Sequence, residues 1–168
     1  MPINVSIRKD GIGTFLGSFL TRAARLCVEL CDIGREIANS AFASAMYDGV
    51  NDITVSLEAT DRGCRVVANG NAVCFVEFGT GVYYGGNYLG RRPTEVLGIG
   101  QYGRHSGMRN TWAYYGYPGT NGRIVVHNGS GDTVVITHGN PPANAMAMAV
   151  VQMKDKLIET AREVFNSD

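Results

Sequence analysis

Val73-Cys74-Phe75-Val76-Glu77-Phe78-Gly79-Thr80-Gly81 is an apolar run that carries one carboxylate and stops at Gly-Thr-Gly. Such a run reads as a short strand or a short helix. Its single charge, Glu77, sits among residues that avoid water, so it needs hydrogen-bond partners or an opposite charge. Gly79 and Gly81 bracket Thr80, and glycine reaches φ > 0 without the steric penalty of a Cβ. The segment is therefore a short buried element closed by a turn of defined geometry. Two structural uses of Glu77 are consistent with this. It accepts hydrogen bonds from the backbone of the turn at 79–81, or it pairs with an arginine across an interface. A catalytic use needs a second acid or base, and the run holds none.

Upstream, Ile3, Val5 and Ile7 alternate with Asn4, Ser6 and Arg8, which predicts a short half-buried strand. Residues 9–13, with two glycines, read as a turn. A helical pattern then covers about 14–46. Leu16, Leu20, Ala23, Cys27, Leu30, Gly34, Ile37 and Ala41 fall on one stripe. Arg22, Arg25, Glu29, Asp32, Arg35 and Glu36 lie mostly off it. The helix either breaks near Gly34 or continues as a spine that packs on more than one surface. Ile53, Val55 and Leu57, then Cys64, Val66 and Ala68, alternate around Asp61-Arg62-Gly63 and predict a β-hairpin over 52–68.

Downstream, residues 82–110 show no period and are rich in Gly, Tyr and Arg. They read as a long flexible loop, of the kind that is usually functional or disordered. It carries Arg91, Arg92, Arg104 and Arg109, interleaved with Tyr83, Tyr84 and Tyr88. Arg with Tyr is the composition of protein interface hot spots and of nucleic-acid contacts. A solvated loop, a subunit or partner contact, and a contact with passing DNA all remain open on composition. Residues 112–117 read as an aromatic strand, and 123–128 with 132–137 as a second hairpin turned by Asn128-Gly129-Ser130-Gly131. His138-Gly139-Asn140-Pro141-Pro142 is a break, and the prolines suit the entrance of a helix. That final helix covers about 143–165, with Met146, Val150, Met153, Leu157, Ala161 and Val164 as its apolar stripe. Strand, long helix, strands, loop, strands and helix make an α+β class, read as one domain over 1–168.

Composition narrows function. The chain has 168 residues, enough to bury a core without metals or disulfides. Fifteen Lys+Arg balance fifteen Asp+Glu, so no global basic excess argues for nucleic acid. No run is long and apolar enough for a transmembrane helix, and the opening residues do not read as a signal peptide. Cys27, Cys31, Cys64 and Cys74 contain no CxxC pair, with Cys27 and Cys31 one turn apart on the long helix. They read as four buried or half-buried thiols in a reducing cytoplasm. Gly98-Ile99-Gly100-Gln101-Tyr102-Gly103 matches GxGxxG but lies in the loop, without a βαβ unit around it. His105, His127 and His138 follow no ligand spacing. The sequence therefore assigns no catalytic residue, no cofactor and no metal.

Taken together, the chain resembles the tail-completion or head–tail joining family of long-tailed double-stranded DNA phages and prophages, also called neck or minor tail components. The resemblance rests on the long N-terminal helix, then Val76-Glu77-Phe78-Gly79-Thr80-Gly81, then a variable loop and hairpin. It continues through His138-Gly139-Asn140-Pro141-Pro142-Ala143-Asn144-Ala145-Met146 into the last helix. Relatives tend to carry an aromatic at the start of that helix, where this chain has Asn144-Ala145-Met146 and leaves the anchor to Met146. The resemblance implies a structural, non-enzymatic protein of the virion, assembled in the bacterial cytoplasm as an oligomeric ring around the DNA channel. Its implied partners are further copies of itself, other neck, connector or tail proteins, and non-specifically the channel DNA, with no membrane. A different class of reading, a small nucleic-acid-binding module using the Arg/Tyr loop, is the alternative.

Overall fold

A computed structural model describes residues 9–61, 63–80, 89, 111–117, 124–127, 129 and 131–166. The chain is α+β: a long helix α1 (Lys9–Ser44), strands β1 (Thr54–Thr60) and β2 (Gly63–Asn69), a short helix α2 (Val73–Phe78), strands β3 (Trp112–Tyr115), β4 (Ile124–His127) and β5 (Thr133–Thr137), and a final helix α3 (Ala145–Asn166). The strand read at residues 3–7 lies outside the described residues, as does most of the loop at 82–110.

Helix α1 runs for 36 residues without a break at Gly34, a length of about 54 Å. It also begins earlier than its composition suggests. Residues 9–13, read as a turn, are helical, although each glycine there costs roughly 1 kcal/mol of helix propensity. Asn51 closes the far end by donating its Nδ2–H to the Phe42 carbonyl at 2.8 Å.

Helix α3 packs antiparallel along α1. Arg22 donates to the Phe165 carbonyl at one end, Gly34 faces Met153 midway, where a Cβ would collide with the thioether, and Phe42 shares the core with Ala145 at the other end. That core joins Ala38 and Phe42 of α1, Ala72 and Val76 at α2, and Ala145 and Ala149 of α3. Four of these six are alanines, so three helices approach closely around one large ring, with Met146 packed against the cluster. The apolar stripe read from sequence is only partly the buried face. Ala145, Ala147, Ala149, Thr160 and Val164 are buried, whereas Val150 is 64% and Leu157 43% exposed. Close approach to Ala38 and Phe42 selects the small Ala145 and Ala149, and a count of large hydrophobes misses that.

The β1–β2 hairpin is antiparallel in the register Val55↔Ala68 and Leu57↔Val66, and it packs on α1. This contact corrects the reading of four thiols. Cys31 on α1 and Cys64 on β2 are joined in a disulfide, Cα to Cα 6.6 Å, within reach of such a bond. Thirty-three residues separate them, so only the docking of hairpin on helix brings them together. Cys64 Sγ also lies 3.3 Å from the Cys27 carbonyl oxygen, while Cys27 and Cys74 are free and half-buried. Strands β3, β5 and β4 form a separate antiparallel sheet in that order. Thr137 at the end of β5 ties it to the α1–β1 connection by donating its hydroxyl to the buried Asp48 carboxylate.

Candidate functional site

Helix α2 ends at Gly79, whose φ of 76° is left-handed. An added Cβ would lie 2.8 Å from both the Asn140 carbonyl oxygen and the Pro142 nitrogen, so glycine is required on two counts. The absence of a side chain lets two distant segments meet, 76–80 and 140–147. Thr80 N–H donates to the Asn140 carbonyl at 2.9 Å, and Asn140 N–H donates to Thr80 Oγ1 at 2.9 Å. Both residues are buried.

The two helix ends at this joint satisfy one another. The last carbonyls of a helix and its first amides have no partner within their own helix. Here Ala143 N–H donates to the Val76 carbonyl at 2.8 Å and Asn144 N–H to the Glu77 carbonyl at 3.3 Å. The Glu77 carboxylate then accepts Met146 N–H at 3.0 Å and Ala147 N–H at 3.2 Å. Both lie in the first turn of α3, where the helix dipole also favours negative charge. Glu77 is 2% exposed. In these two bonds its structural use is one that sequence reading did not name: it caps the start of α3. Pro141 and Pro142 complete the arrangement because they bring no N–H that would need a partner. The nearby Cys74 thiol is pushed up by burial and then by the Glu77 charge, which favours its protonated form.

Asn144 sits at φ 55°, a left-handed conformation that asparagine tolerates. Its Nδ2 donates to the Pro142 carbonyl at 3.2 Å, and its Oδ1 accepts Leu89 N–H at 2.9 Å. The long connection between α2 and β3 is therefore pinned to the joint at Leu89. A second remote carboxylate works in the same way. Asp52, just ahead of β1, accepts Asn71 N–H at 2.9 Å and Ala72 N–H at 3.0 Å where the chain enters α2. These hydrogen bonds hold its carboxyl below the ordinary value. Sequence reading missed Asp52, Asn140 and Asn144. Asn144 immediately before a helix was the one available signal.

Of the residues singled out in the sequence, Glu77, Phe78, Gly79 and Thr80 converge in this joint, all buried. Gly81, Tyr83, Tyr84, Tyr88, Arg91, Arg92, Arg104 and Arg109 lie outside the described residues. Elsewhere, Tyr114 beside Asp48 and Tyr47 has its phenol pushed up to about 12, chiefly by burial and then by the Asp48 charge. An open concavity of about 800 Å³ is lined by Tyr115, Tyr117, Asp132 and Thr133 with two glycines. Among the described residues, no group of three or more His, Cys, Asp or Glu is placed to hold a metal ion. No helix among them is long and apolar enough to cross a membrane.

Compared with protein-family models, characterised proteins and solved structures, the chain matches none.

Proposed function

We propose that the chain is a structural component of the head–tail junction of a long-tailed double-stranded DNA phage, a tail-completion or neck protein acting as an oligomeric ring around the DNA channel. The observation that carries this reading is the joint itself. The two segments on which the resemblance rests, 76–81 and 138–146, are far apart in sequence. Over their described residues they meet through reciprocal backbone bonds and the Glu77 cap. Two remote segments committed to one architectural contact suit a scaffold. A carboxylate engaged by two backbone amides of a helix serves the fold rather than a substrate.

In this reading the protein is assembled in the bacterial cytoplasm and resides in the virion. The joint holds the start of the long connection between α2 and β3 and pins it again at Leu89. That connection, with Arg91, Arg92, Arg104, Arg109, Tyr83, Tyr84 and Tyr88, reaches the adjacent subunit, a connector or tail partner, or the DNA in the lumen. A ring repeats each arginine around its axis, so a neutral chain still presents a positive collar.

The test is native mass across a concentration series, alone and with a purified portal connector, with negative-stain imaging of any large species. A closed ring with a hole wide enough for duplex DNA is the expected result. Arg91→Ala with Arg92→Ala is expected to reduce ring or connector binding while leaving the melting temperature unchanged. A monomer in both settings contradicts the reading, and salt-dependent DNA binding by that monomer would favour the nucleic-acid module instead.

A further inference from the structure

The start of β2 meets α1 between two cysteines of one helix face. Cys27 and Cys31 are four residues apart, so their Cβ atoms stand about 5–6 Å from one another on the same side of the helix. Strand β2 follows that side in the direction of α1. A Cβ placed at Gly63 would lie 3.5 Å from both Cβ and Sγ of Cys27, Cys64 is bonded to Cys31, and Val66 reaches Gly34. The Cys64 sulfur is thereby set over the turn that joins the two helix cysteines. It is bonded to the Cys31 sulfur and lies 3.3 Å from the Cys27 carbonyl oxygen. The Cys27 thiol is free and half-buried, whereas Cys31 is only 5% exposed.

Thiol–disulfide exchange asks for this kind of arrangement. A thiolate attacks one sulfur of the disulfide from the side opposite the other, so three sulfurs stand nearly in line as one bond replaces the other. The outer two are then separated by roughly twice an S–S bond, about 4–5 Å. One turn of helix gives Cys27 and Cys31 nearly that spacing. Gly63 adds freedom beside the attacked residue, since its φ of 137° lies where glycine is favoured. Because it brings no side chain, the Cys27 side chain lies close against the backbone next to Cys64.

We propose that Cys27, Cys31 and Cys64 form an intramolecular exchange site, in which Cys27 displaces Cys31 from Cys64. The Cys27 thiol loses its proton and its sulfur attacks Cys64 Sγ. The Cys27–Cys64 bond forms as the Cys31–Cys64 bond breaks, and Cys31 leaves as a thiolate that takes up a proton. One disulfide and one thiol are present before and after, so no oxidant or reductant is consumed. The hairpin stays tied to α1 throughout, and its attachment moves by one helical turn. What changes is the thiol left over, half-buried Cys27 in one state and buried Cys31 in the other. A neutral thiol behaves as a small apolar side chain, so the second state leaves no charge in the core. Cys74 takes no part, because α2, which carries it, packs at Ala38 and Phe42, roughly 10–20 Å further along α1. The inference does not rest on the head–tail reading.

The experiment maps disulfides in the full oxidised chain. The folded protein is held at about pH 8, where thiols are partly ionised, with no added thiol. Samples are quenched in acid at intervals, their free thiols are blocked with a maleimide in denaturant, and the chain is cleaved after Arg and Glu. Glu29 separates Cys27 from Cys31, so mass spectrometry assigns the partner of Cys64. Both the Cys31–Cys64 and the Cys27–Cys64 links are expected, settling to a constant ratio, with the second at least tenfold more abundant than any link to Cys74. A map that stays Cys31–Cys64 alone would overturn the exchange. So would links to Cys74 as frequent as those to Cys27, since they mark scrambling through the unfolded chain. Two variants test the geometry by itself. With oxidised glutathione, Cys31→Ala is expected to close Cys27–Cys64 at a rate within tenfold of Cys31–Cys64 closure in Cys27→Ala, and slower closure would also overturn it. The wild-type map decides if either variant fails to fold.

Discussion

The two ends of α1 are built on opposite terms. At its C-terminal end, Ala38 and Phe42 are buried against α2 and α3, and the adjoining joint holds two helix ends in mutual hydrogen bonds. At its N-terminal end, Phe15, Leu16 and Leu20 are half or more exposed around two open glycines, and Phe19 touches α3 only through Phe165. The first end is completed within one chain. The second carries the same kind of face with nothing in the described chain laid over it. A fold can thus be settled at one end of a helix while the other end leaves large apolar side chains in water. Hydrophobic exposure marks the difference better than charge, which is balanced over the chain.

The largest effect expected from breaking this contrast is at Glu77. Glu77→Ala removes two charge-assisted hydrogen bonds, strands the Met146 and Ala147 amides, and leaves a gap in a packed site. A loss of roughly 3 kcal/mol is expected from terms of this kind, read by chemical denaturation. A loss below about 0.5 kcal/mol would mean that the joint is not held by the carboxylate.

A smaller effect, with a pH signature, belongs to Asp52. Its folded carboxyl titrates below the ordinary 3.8 because it accepts the Asn71 and Ala72 amides. A depressed folded value adds stability above the unfolded one and loses it as pH falls through the folded one. Asp52→Asn is therefore expected to lower the melting temperature at neutral pH. The gap to wild type should narrow below pH 3.8 and close at lower pH. A gap independent of pH would assign the effect to packing. The smallest effect is at the other end of the molecule. Leu16→Ser with Leu20→Ser removes side chains that the single chain covers only in part, and the monomer's stability should fall by no more than about 1 kcal/mol.

How much of this was legible follows the same division. The β1–β2 hairpin was readable because Val55, Leu57, Val66 and Ala68 alternate, and that period is local. The stretch at 73–81 was readable as short, buried and glycine-closed, though strand and helix stayed open until α2 appeared. The partners of Glu77 were not readable, because Met146 and Ala147 lie 69 and 70 residues away. The Cys31–Cys64 pair was hidden for the same reason. The start of α1 was misread because Gly11 and Gly13 signal a turn, and the helix continues through them nonetheless. The buried face of α3 was misjudged because Ala145 and Ala149 fill a place where only small side chains fit. The sequence weighs size, whereas the packing weighs room.

Native-state hydrogen exchange, resolved by residue on the monomeric chain at low concentration, tests the contrast between the two ends most directly. The amides of Met146, Ala147, Ala143 and Thr80 are expected to exchange only through global unfolding, while those from Gly13 to Leu20 exchange by local opening at far lower free energy. Equal protection at both ends, or rapid exchange at Met146 and Ala147, would contradict the account.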